Sequence, residues 1–253
     1  MIYFVGAGPG APDLITIRGD KLLQAADMII YAGSLVNPAL LDTAKPGCEI
    51  FDSAGMTLEQ VVEKMLYAQK QGKLIVRLHT GDPSIYGAIR EQMDELDSHG
   101  ASYEVVPGVS SLGAAAAAIN AEYTLPGVSQ SIIITRIEGR TPVPERENIA
   151  SLAAHGATMV IFLSTGLLEN LTEKLLEGGY SSDCPAAIVY KATWPDEKIV
   201  RTTVSKLAKD AKQESIEKTA LILVGGFLGN EYERSKLYNP EFSHGFRRGA
   251  TGE

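Results

Sequence analysis

The 253-residue sequence contains few basic residues, few cysteines and no long hydrophobic run. Lysine and arginine number 23 against 31 aspartates and glutamates, giving a formal net charge of -8. This balance argues against a broad nucleic-acid or anionic-membrane surface, which needs clustered positive charge. Two cysteines, Cys48 and Cys184, are too few for a disulfide scaffold of this size. With no apolar stretch near the roughly 20 residues that span a bilayer and no targeting pattern, we expect a cytoplasmic protein.

Motifs for metal binding and covalent catalysis are also missing. The four histidines lie apart without paired spacing, and neither cysteine has a close ligand neighbour. His79, at a strand end, is interpreted as a structural residue that could line a cleft. No G-x-S-x-G elbow occurs. We therefore expect no metal site and no protein nucleophile.

Short β-rich runs alternate with helical patterns along the whole chain. This alternation predicts an α/β protein with two α/β domains, the first with a mostly parallel sheet and the second with a mixed sheet. The turn at Pro107 and Gly108 marks the best boundary, and we assign the domains to residues 1–111 and 112–253. Thr57 with Gln60 predicts a capping box, and the alanine run 114–118 predicts a buried helix. The strand predictions are "IYFV", "DMIIY", "CEIF", "KLIVRL", "SYEVV", "SIIIT", "TMVIFL", "AAIVY", "KIVRTTV" and "ALILVGGF".

The glycine-rich stretch "GAGPGA", residues 6–11, follows the first strand. It satisfies G-x-G-x-x-A and raises a dinucleotide-binding interpretation. Against this, Pro9 removes an amide from the loop, the helical pattern begins only near Thr16, and Asp27 precedes its strand instead of ending it. A turn that lets another backbone segment approach is an equally good interpretation.

Two further loops admit both a structural and a functional interpretation. "GDPSIYGAI", residues 81–89, follows an apolar run and is either a strand-to-helix connector or a loop against a ligand. "TRIEGRTPVPERE", residues 135–147, is either a solvated charged loop or a basic segment that binds an anionic substrate. Composition alone decides neither.

The ordered set of motifs resembles the tetrapyrrole methylase family over essentially the whole chain. The set is "GAGPGAPDLITIRG", "YAGSLV", "RLHTGDPSIYG", "VVPGVSS" and "ALILVGG". The resemblance implies S-adenosylmethionine-dependent methyl transfer, two α/β domains and a cofactor cleft between them. Within the family, "FDSAGMTLEQ", "ITRIEGRTPVPE" and "FSHGFR" resemble the branch that methylates precorrin-4 or cobalt-precorrin-4 at C11 in cobalamin biosynthesis.

The resemblance also implies site residues, a small-molecule tetrapyrrole partner and a homodimer, with S-adenosylhomocysteine as product. No acid or base is assigned. The cofactor residues implied are Pro9, Thr80, Gly81, Asp82, Ile85, Tyr86, Ser110, Ser111, Leu163, Ala192, Thr219, Ala220 and Leu221. The substrate residues implied are Tyr31, Ser34, Ser53, Arg136 and Arg140.

Three alternatives remain at this point. A uroporphyrinogen III methyltransferase shares the fold, but it typically has an aspartate after the tyrosine of the second strand and Lys-Arg-Ala-Gly after the third, where this sequence has "YAGS" and "DSAG". A nicotinamide-dependent oxidoreductase would use the Gly6 loop. A non-catalytic tetrapyrrole- or nucleotide-binding module is the third alternative.

Overall fold

The computed structural model describes residues 1–249, except for the side chain of Ser34. The chain forms two compact units. The first consists of Met1–Ala118 and Tyr190–Lys198, and the second of Ile119–Val189 and the residues from Ile199 onward. The sequence-based domain boundary after residue 111 stays a prediction.

The first unit carries five strands and four α-helices in alternation, as the sequence predicts. The elements are β1 (Ile2–Gly6), α1 (Ile17–Ala25), β2 (Met28–Tyr31), β3 (Glu49–Asp52), α2 (Leu58–Lys70), β4 (Ile75–His79), α3 (Ile89–Ser98), β5 (Tyr103–Val106) and α4 (Ser111–Ala118).

The sheet of the first unit has the order β3-β2-β4-β1-β5, and every pairing in it is parallel. Along this order, the connection from β1 runs in one direction, to β2, and the connection from β4 runs in the opposite direction, to β5. The neighbouring carboxyl ends of β1 and β4 therefore form a topological switch point, which is where open α/β sheets bind ligands.

Two apolar layers cover this sheet. Phe4, Ile30, Met65 and Leu96 belong to a buried cluster that includes residues of α2 and α3. A second cluster includes Leu23 of α1 and residues that alternate along the strands with those of the first cluster. Because both faces are covered, β4 is buried along its whole length, including the polar residues Arg77 and His79.

Local signals in the sequence agree with the helix ends. Thr16 accepts a hydrogen bond from the Gly19 amide and caps α1. The capping box of Thr57 and Gln60 is present at the start of α2. The alanine run forms α4, but only one face of that helix is buried, because Ala114 and Ala115 are enclosed while Ala117 is exposed.

The second unit contains the mixed sheet that the sequence predicts. Its order is β6-β7-β10-β8-β9, with β7 parallel to β6 and antiparallel to β10. Its elements are β6 (Ile132–Arg136), α5 (Ile149–Ala153), β7 (Thr158–Phe162), α6 (Leu168–Glu177), β8 (Pro185–Tyr190), β9 (Lys198–Thr203), α7 (Leu207–Gln213) and β10 (Ala220–Val224). Within residues 1–249, no helix combines the length and apolar character needed to cross a membrane.

Candidate functional site

Three loops of the first unit meet through glycines at the carboxyl ends of β1, β4 and β5. We call Gly6, Gly81 and Gly108 the glycine junction. A Cβ atom on Gly6 would lie 2.5 Å from the Gly108 Cα, and one on Gly108 would lie 2.1 Å from the Gly81 oxygen. Any side chain at Gly6 or Gly108 would therefore collide with backbone. Gly81 has a φ of 59°, a conformation that glycine adopts without steric cost.

The "GAGPGA" loop uses its own amides for internal hydrogen bonds. The Ala7 amide donates to the His79 carbonyl at 2.7 Å, and Gly8 and Gly81 exchange bonds at 3.3 and 2.8 Å. The Ala11 amide donates to the Thr193 hydroxyl at 2.9 Å. With Pro9 lacking an amide, the loop is not a cradle of free donors for a pyrophosphate.

Two other observations weigh against the dinucleotide-binding interpretation. The first α-helix after the loop begins only at Ile17, so its positive end does not open directly from the glycines. Asp27, the acidic residue at the expected distance for a ribose contact, accepts a bond from the Leu74 amide at 2.7 Å and pairs with Lys45 at 2.6 Å. The "GAGPGA" loop is a turn that lets another backbone segment approach closely, which is the other interpretation that the sequence allows.

The single tryptophan of the chain holds this loop in place. The Trp194 indole nitrogen donates to the Pro9 carbonyl at 3.0 Å. A Cβ atom on Gly10 would lie only 2.1 Å from Trp194 Cδ1, so Gly10 is required for the ring to pack there. Reasoning from the sequence missed Trp194, although its uniqueness within "YKATWPDE" is a signal that could have drawn attention to it.

Asp82 fixes the "GDP" loop. Its carboxylate accepts bonds from the Ser84 amide and the Gly108 amide, each at 2.8 Å, and from the Ser84 hydroxyl. Burial raises the pKa of Asp82, but these three hydrogen bonds outweigh it and leave the pKa below its usual value. Asp82 is therefore an ionised residue that ties the loop after β4 to the loop after β5.

The other cofactor residues implied for the first unit lie in or next to the loops after β4 and β5, except for Ala192, which follows β8. The Thr80 hydroxyl donates to the Leu35 carbonyl at 2.9 Å, and the Ser110 hydroxyl accepts from the Leu112 amide at 3.2 Å at the start of α4. Ser111 is the first residue of α4 and Ile85 is half-buried. Tyr86 is half-exposed and has a φ of 55°. Ala192 is buried.

The cofactor residues implied for the second unit also lie together. Ile222 of β10 pairs with Ile161 of β7, and continuing this antiparallel register by two residues brings Ala220 beside Leu163. Leu163 is 65% exposed and, like Thr219, has a positive φ, 53° and 58° respectively. Leu221 follows in β10 and is buried. Left-handed backbone at residues other than glycine is strained and concentrates at functional sites.

The implied substrate residues occur in two groups. Tyr31 ends β2 and Ser53 directly follows β3, and the Ser53 hydroxyl donates to the Tyr31 carbonyl at 2.9 Å. The side chain of Ser34 lies outside the described part of the structure. Arg136 donates to the carbonyls of Ile137, Thr141 and Pro142 at 3.3, 3.2 and 2.7 Å. Arg140 is exposed and has no partner among the described residues.

Arg136 and Arg140 therefore differ in role. The Arg136 guanidinium closes its own loop, so it is placed to shape that loop, while the Arg140 guanidinium is available to a ligand. Within residues 1–249, no group of three or more His, Cys, Asp or Glu side chains is placed to hold a metal ion. The loops instead present backbone groups, hydroxyls and one ionised aspartate, which suit the binding of a polar small molecule.

Comparison with known proteins gives consistent matches over the full chain. Residues 1–208 match the family described as tetrapyrrole (corrin/porphyrin) methylases. A cobalt-precorrin-4 C(11)-methyltransferase of Methanocaldococcus jannaschii is 54% identical, with 98% of this chain and 96% of that protein covered. The protein of the same name from Priestia megaterium is 51% identical, with 100% and 99% covered.

Solved structures agree. The X-ray structure of a cobalt precorrin-4 methyltransferase, a cobalamin biosynthetic enzyme, has a TM-score of 0.89 at 52% identity and covers 90% of this chain and 96% of its own. A uroporphyrin-III C-methyltransferase from Thermus thermophilus, complexed with S-adenosyl homocysteine, has a TM-score of 0.73 at 26% identity, with 90% and 92% covered. The chain belongs to the tetrapyrrole methylase family.

Proposed function

We propose that the protein is an S-adenosylmethionine-dependent methyltransferase that methylates C11 of precorrin-4, in its cobalt-containing form, during cobalamin biosynthesis. One observation carries the proposal: the 54% identity to a cobalt-precorrin-4 C(11)-methyltransferase, which extends over 98% of this chain. The two relatives named for the cobalt substrate are 51% and 54% identical, whereas those named for precorrin-4 are 43–44% identical. This difference favours the cobalt-containing substrate.

Features of the loops in each unit support the assignment of the cofactor residues. In the first unit, a Cβ atom on Gly81 would meet its nearest atom, the Ser111 amide nitrogen, at an ordinary contact distance of 3.5 Å, so Gly81 is less tightly enclosed than Gly6 and Gly108. In the second, the exposed and strained Leu163 lies beside the start of β10. We propose that Gly81, Asp82, Tyr86, Ser110 and Leu163 contact the cofactor, together with Pro9, Thr80, Ile85, Ser111, Ala192, Thr219, Ala220 and Leu221.

The chemistry needs little from protein side chains. S-adenosylmethionine, when bound, supplies an electrophilic methyl group on a sulfonium, and an electron-rich ring carbon of the substrate is the nucleophile. The protein has to align the two, and alignment is worth at most about 7–11 kcal/mol of the barrier. Asp82, Trp194 and the glycine junction serve this alignment because they fix the loops before a ligand arrives. No residue is assigned as an acid or base.

The test is product analysis with purified protein. Incubation with S-adenosylmethionine and either precorrin-4 or cobalt-precorrin-4, followed by mass spectrometry and NMR, should show one added methyl group at C11, formed faster from the cobalt substrate. Methylation of uroporphyrinogen III instead would identify the sister activity. Calorimetry that shows tight binding of NADH and none of S-adenosylhomocysteine would identify an oxidoreductase.

We further propose that the protein is a cytoplasmic homodimer. The proposal rests on family resemblance and on the cysteine and charge composition of the sequence. Light scattering over a wide concentration range should give twice the monomer mass, and the monomer mass throughout would contradict it.

A further inference from the structure

A polar cavity lies on the side of β4 opposite to the glycine junction. Ile75, Arg77 and His79 alternate along β4 and therefore point to the same face of the sheet, which α2 and α3 cover. The apolar core under these helices ends at Ile75, and Arg77 and His79 line a cavity of about 230 Å³. We call this cavity the Arg77 pocket. It has room for a short acidic side chain of a larger ligand.

Arg77 is a buried cation without an anionic partner. It is 6% exposed, and its guanidinium donates to the Gln92 side-chain oxygen at 2.9 Å and to the Ile30 carbonyl at 3.2 Å. No carboxylate among the described residues forms an ion pair with it. Burial lowers the pKa of Arg77 to about 10, so the side chain stays charged at neutral pH. A buried charge without a counter-charge is costly, and a bound anion would remove that cost.

His79 also lines the cavity and carries an unsatisfied ring nitrogen. It is 3% exposed, and its Nε2 atom has no hydrogen-bond partner in the described structure. Burial, with the Arg77 charge as a smaller cause, lowers the pKa of His79 to about 3. The ring is therefore neutral at physiological pH and carries one N–H donor.

The cavity also receives the start of a helix. α3 begins after Ala88, which has a φ of 49°, and among the described residues no side chain caps its first turn. Ala88, Gln92 and Glu91 line the cavity, so the positive end of the ten-residue helix faces it. Glu91, the one carboxylate that lines the cavity, is exposed and forms no ion pair with Arg77 within residues 1–249.

We propose that the Arg77 pocket binds a carboxylate group of the tetrapyrrole substrate. A buried guanidinium charge, a neutral imidazole and a helix start together match the negative charge and the acceptor oxygens of a carboxylate. The assignment of this carboxylate to a tetrapyrrole rests on the proposed function. The cofactor also carries a carboxylate, in its methionine part, so the experiment has to separate these two sources.

The first test uses propionate as a free carboxylate and does not depend on activity. With the four histidines isotope-labelled, NMR should show the His79 ring signal, assigned with a His79→Gln variant, shifting as propionate is added. Gln92→Glu places a carboxylate beside Arg77 in a side chain of nearly the same shape, so it should abolish this shift. Gln213→Glu adds the same charge to an exposed position in the other unit and should keep it.

The second test measures affinities by calorimetry for uroporphyrin, a tetrapyrrole carrying carboxylates, and for S-adenosylhomocysteine. Gln92→Glu should weaken uroporphyrin binding about tenfold relative to Gln213→Glu and leave S-adenosylhomocysteine binding unchanged. Loss of affinity for S-adenosylhomocysteine alone would assign the carboxylate to the cofactor and overturn the tetrapyrrole as its source. Equal uroporphyrin affinities in the two variants, or a His79 signal unmoved by saturating propionate, overturns the proposal even if the wild-type protein methylates cobalt-precorrin-4.

Discussion

The two sides of the carboxyl end of β4 are built in opposite ways. Towards β1 and β5, the glycine junction closes the loops with backbone hydrogen bonds, and the Asp82 carboxylate accepts three hydrogen bonds from Ser84 and Gly108. Towards β2 and β3, the Arg77 pocket leaves a buried guanidinium without a carboxylate and His79 without a partner at Nε2 in the described structure.

This difference indicates that the glycine junction shapes the site, whereas the Arg77 pocket binds a ligand. Groups that satisfy one another stabilise the fold whether or not a ligand is present. Groups that stay unsatisfied cost stability and recover the cost only when a ligand binds. Substitutions on the first side should therefore lower stability, and substitutions on the second side should change the response of the protein to pH and ligands.

The largest effect is expected for Gly108→Ala. The new Cβ atom would lie 2.1 Å from the Gly81 oxygen and 2.7 Å from the Gly6 Cα, and neither backbone atom can move aside without breaking the junction. We expect the free energy of unfolding, measured in urea, to fall by about 3 kcal/mol or more. Gly113→Ala is the control, since its Cβ would meet no described atom within 4 Å and should stabilise α4 by roughly 0.5–1 kcal/mol. Equal stability of the two variants would contradict the packing argument.

The next effect concerns the pH dependence of stability at His79. Because the pKa of His79 is lowered from 6.5 to about 3, the unfolded chain binds a proton below pH 6.5 that the folded protein does not. Stability is therefore lost as pH falls, by roughly 2 kcal/mol from pH 6.5 to about pH 5 at about 1.4 kcal/mol per pH unit. His79→Gln should remove this part of the slope.

Asp82, on the other side of β4, contributes differently to the pH dependence of stability. Its pKa is lowered from 3.8, so its stabilising contribution is present above 3.8 and is lost only as pH falls through the lower value. The slope between pH 6.5 and 5 should therefore report on His79 and not on Asp82. His99→Gln, at an exposed histidine, is the control. A slope that persists in His79→Gln would show that His79 is not the cause.

The sequence predicted the fold well because the fold depends on local patterns. All ten strands, the mixed second sheet and the capping box of Thr57 follow from apolar runs, turn residues and capping residues that stand close together in the chain. The glycine-rich turns were recognised too, but the choice between a phosphate cradle and a close-packed turn required the hydrogen bonds of Ala7, Gly8 and Ala11.

The sequence did not reveal contacts between distant segments. Trp194 packs on Gly10, some 180 positions earlier, and no local pattern indicates that pairing. Arg77 was taken as part of an apolar strand, and the absence of a carboxylate partner becomes visible only when its surroundings are known. Arg136, assigned to the substrate by resemblance, proves to bond its own loop.

The same comparison of satisfied and unsatisfied groups applies to the arginines of the second unit. Arg140→Ala removes a free guanidinium, so we expect the KM for the tetrapyrrole to rise five- to tenfold, corresponding to roughly 1–1.4 kcal/mol, with stability unchanged. Arg136→Ala removes three bonds to loop carbonyls and should lower stability as well. Steady-state kinetics and urea unfolding separate the two. Arg146→Ala, at an exposed arginine near Glu147, is the control. If Arg140→Ala and Arg146→Ala have the same KM, Arg140 is a solvated residue that does not bind the substrate.

The smallest effect is expected for Trp194→Phe, which probes how firmly the first side of β4 is fixed. Phenylalanine keeps a ring over Gly10 but loses the N–H bond to the Pro9 carbonyl, now 3.0 Å long. A neutral hydrogen bond contributes about 1 kcal/mol net, so the free energy of unfolding should fall by about that amount. Because the substitution removes the single tryptophan, unfolding is followed by circular dichroism instead of fluorescence. Tyr67→Phe, at a side chain that is 65% exposed, is the matched aromatic control and should change nothing. Equal stabilities of these two variants would mean that the indole only fills space and that the "GAGPGA" loop is held by its other hydrogen bonds, such as those of Ala7 to His79, Gly8 to Gly81 and Ala11 to Thr193.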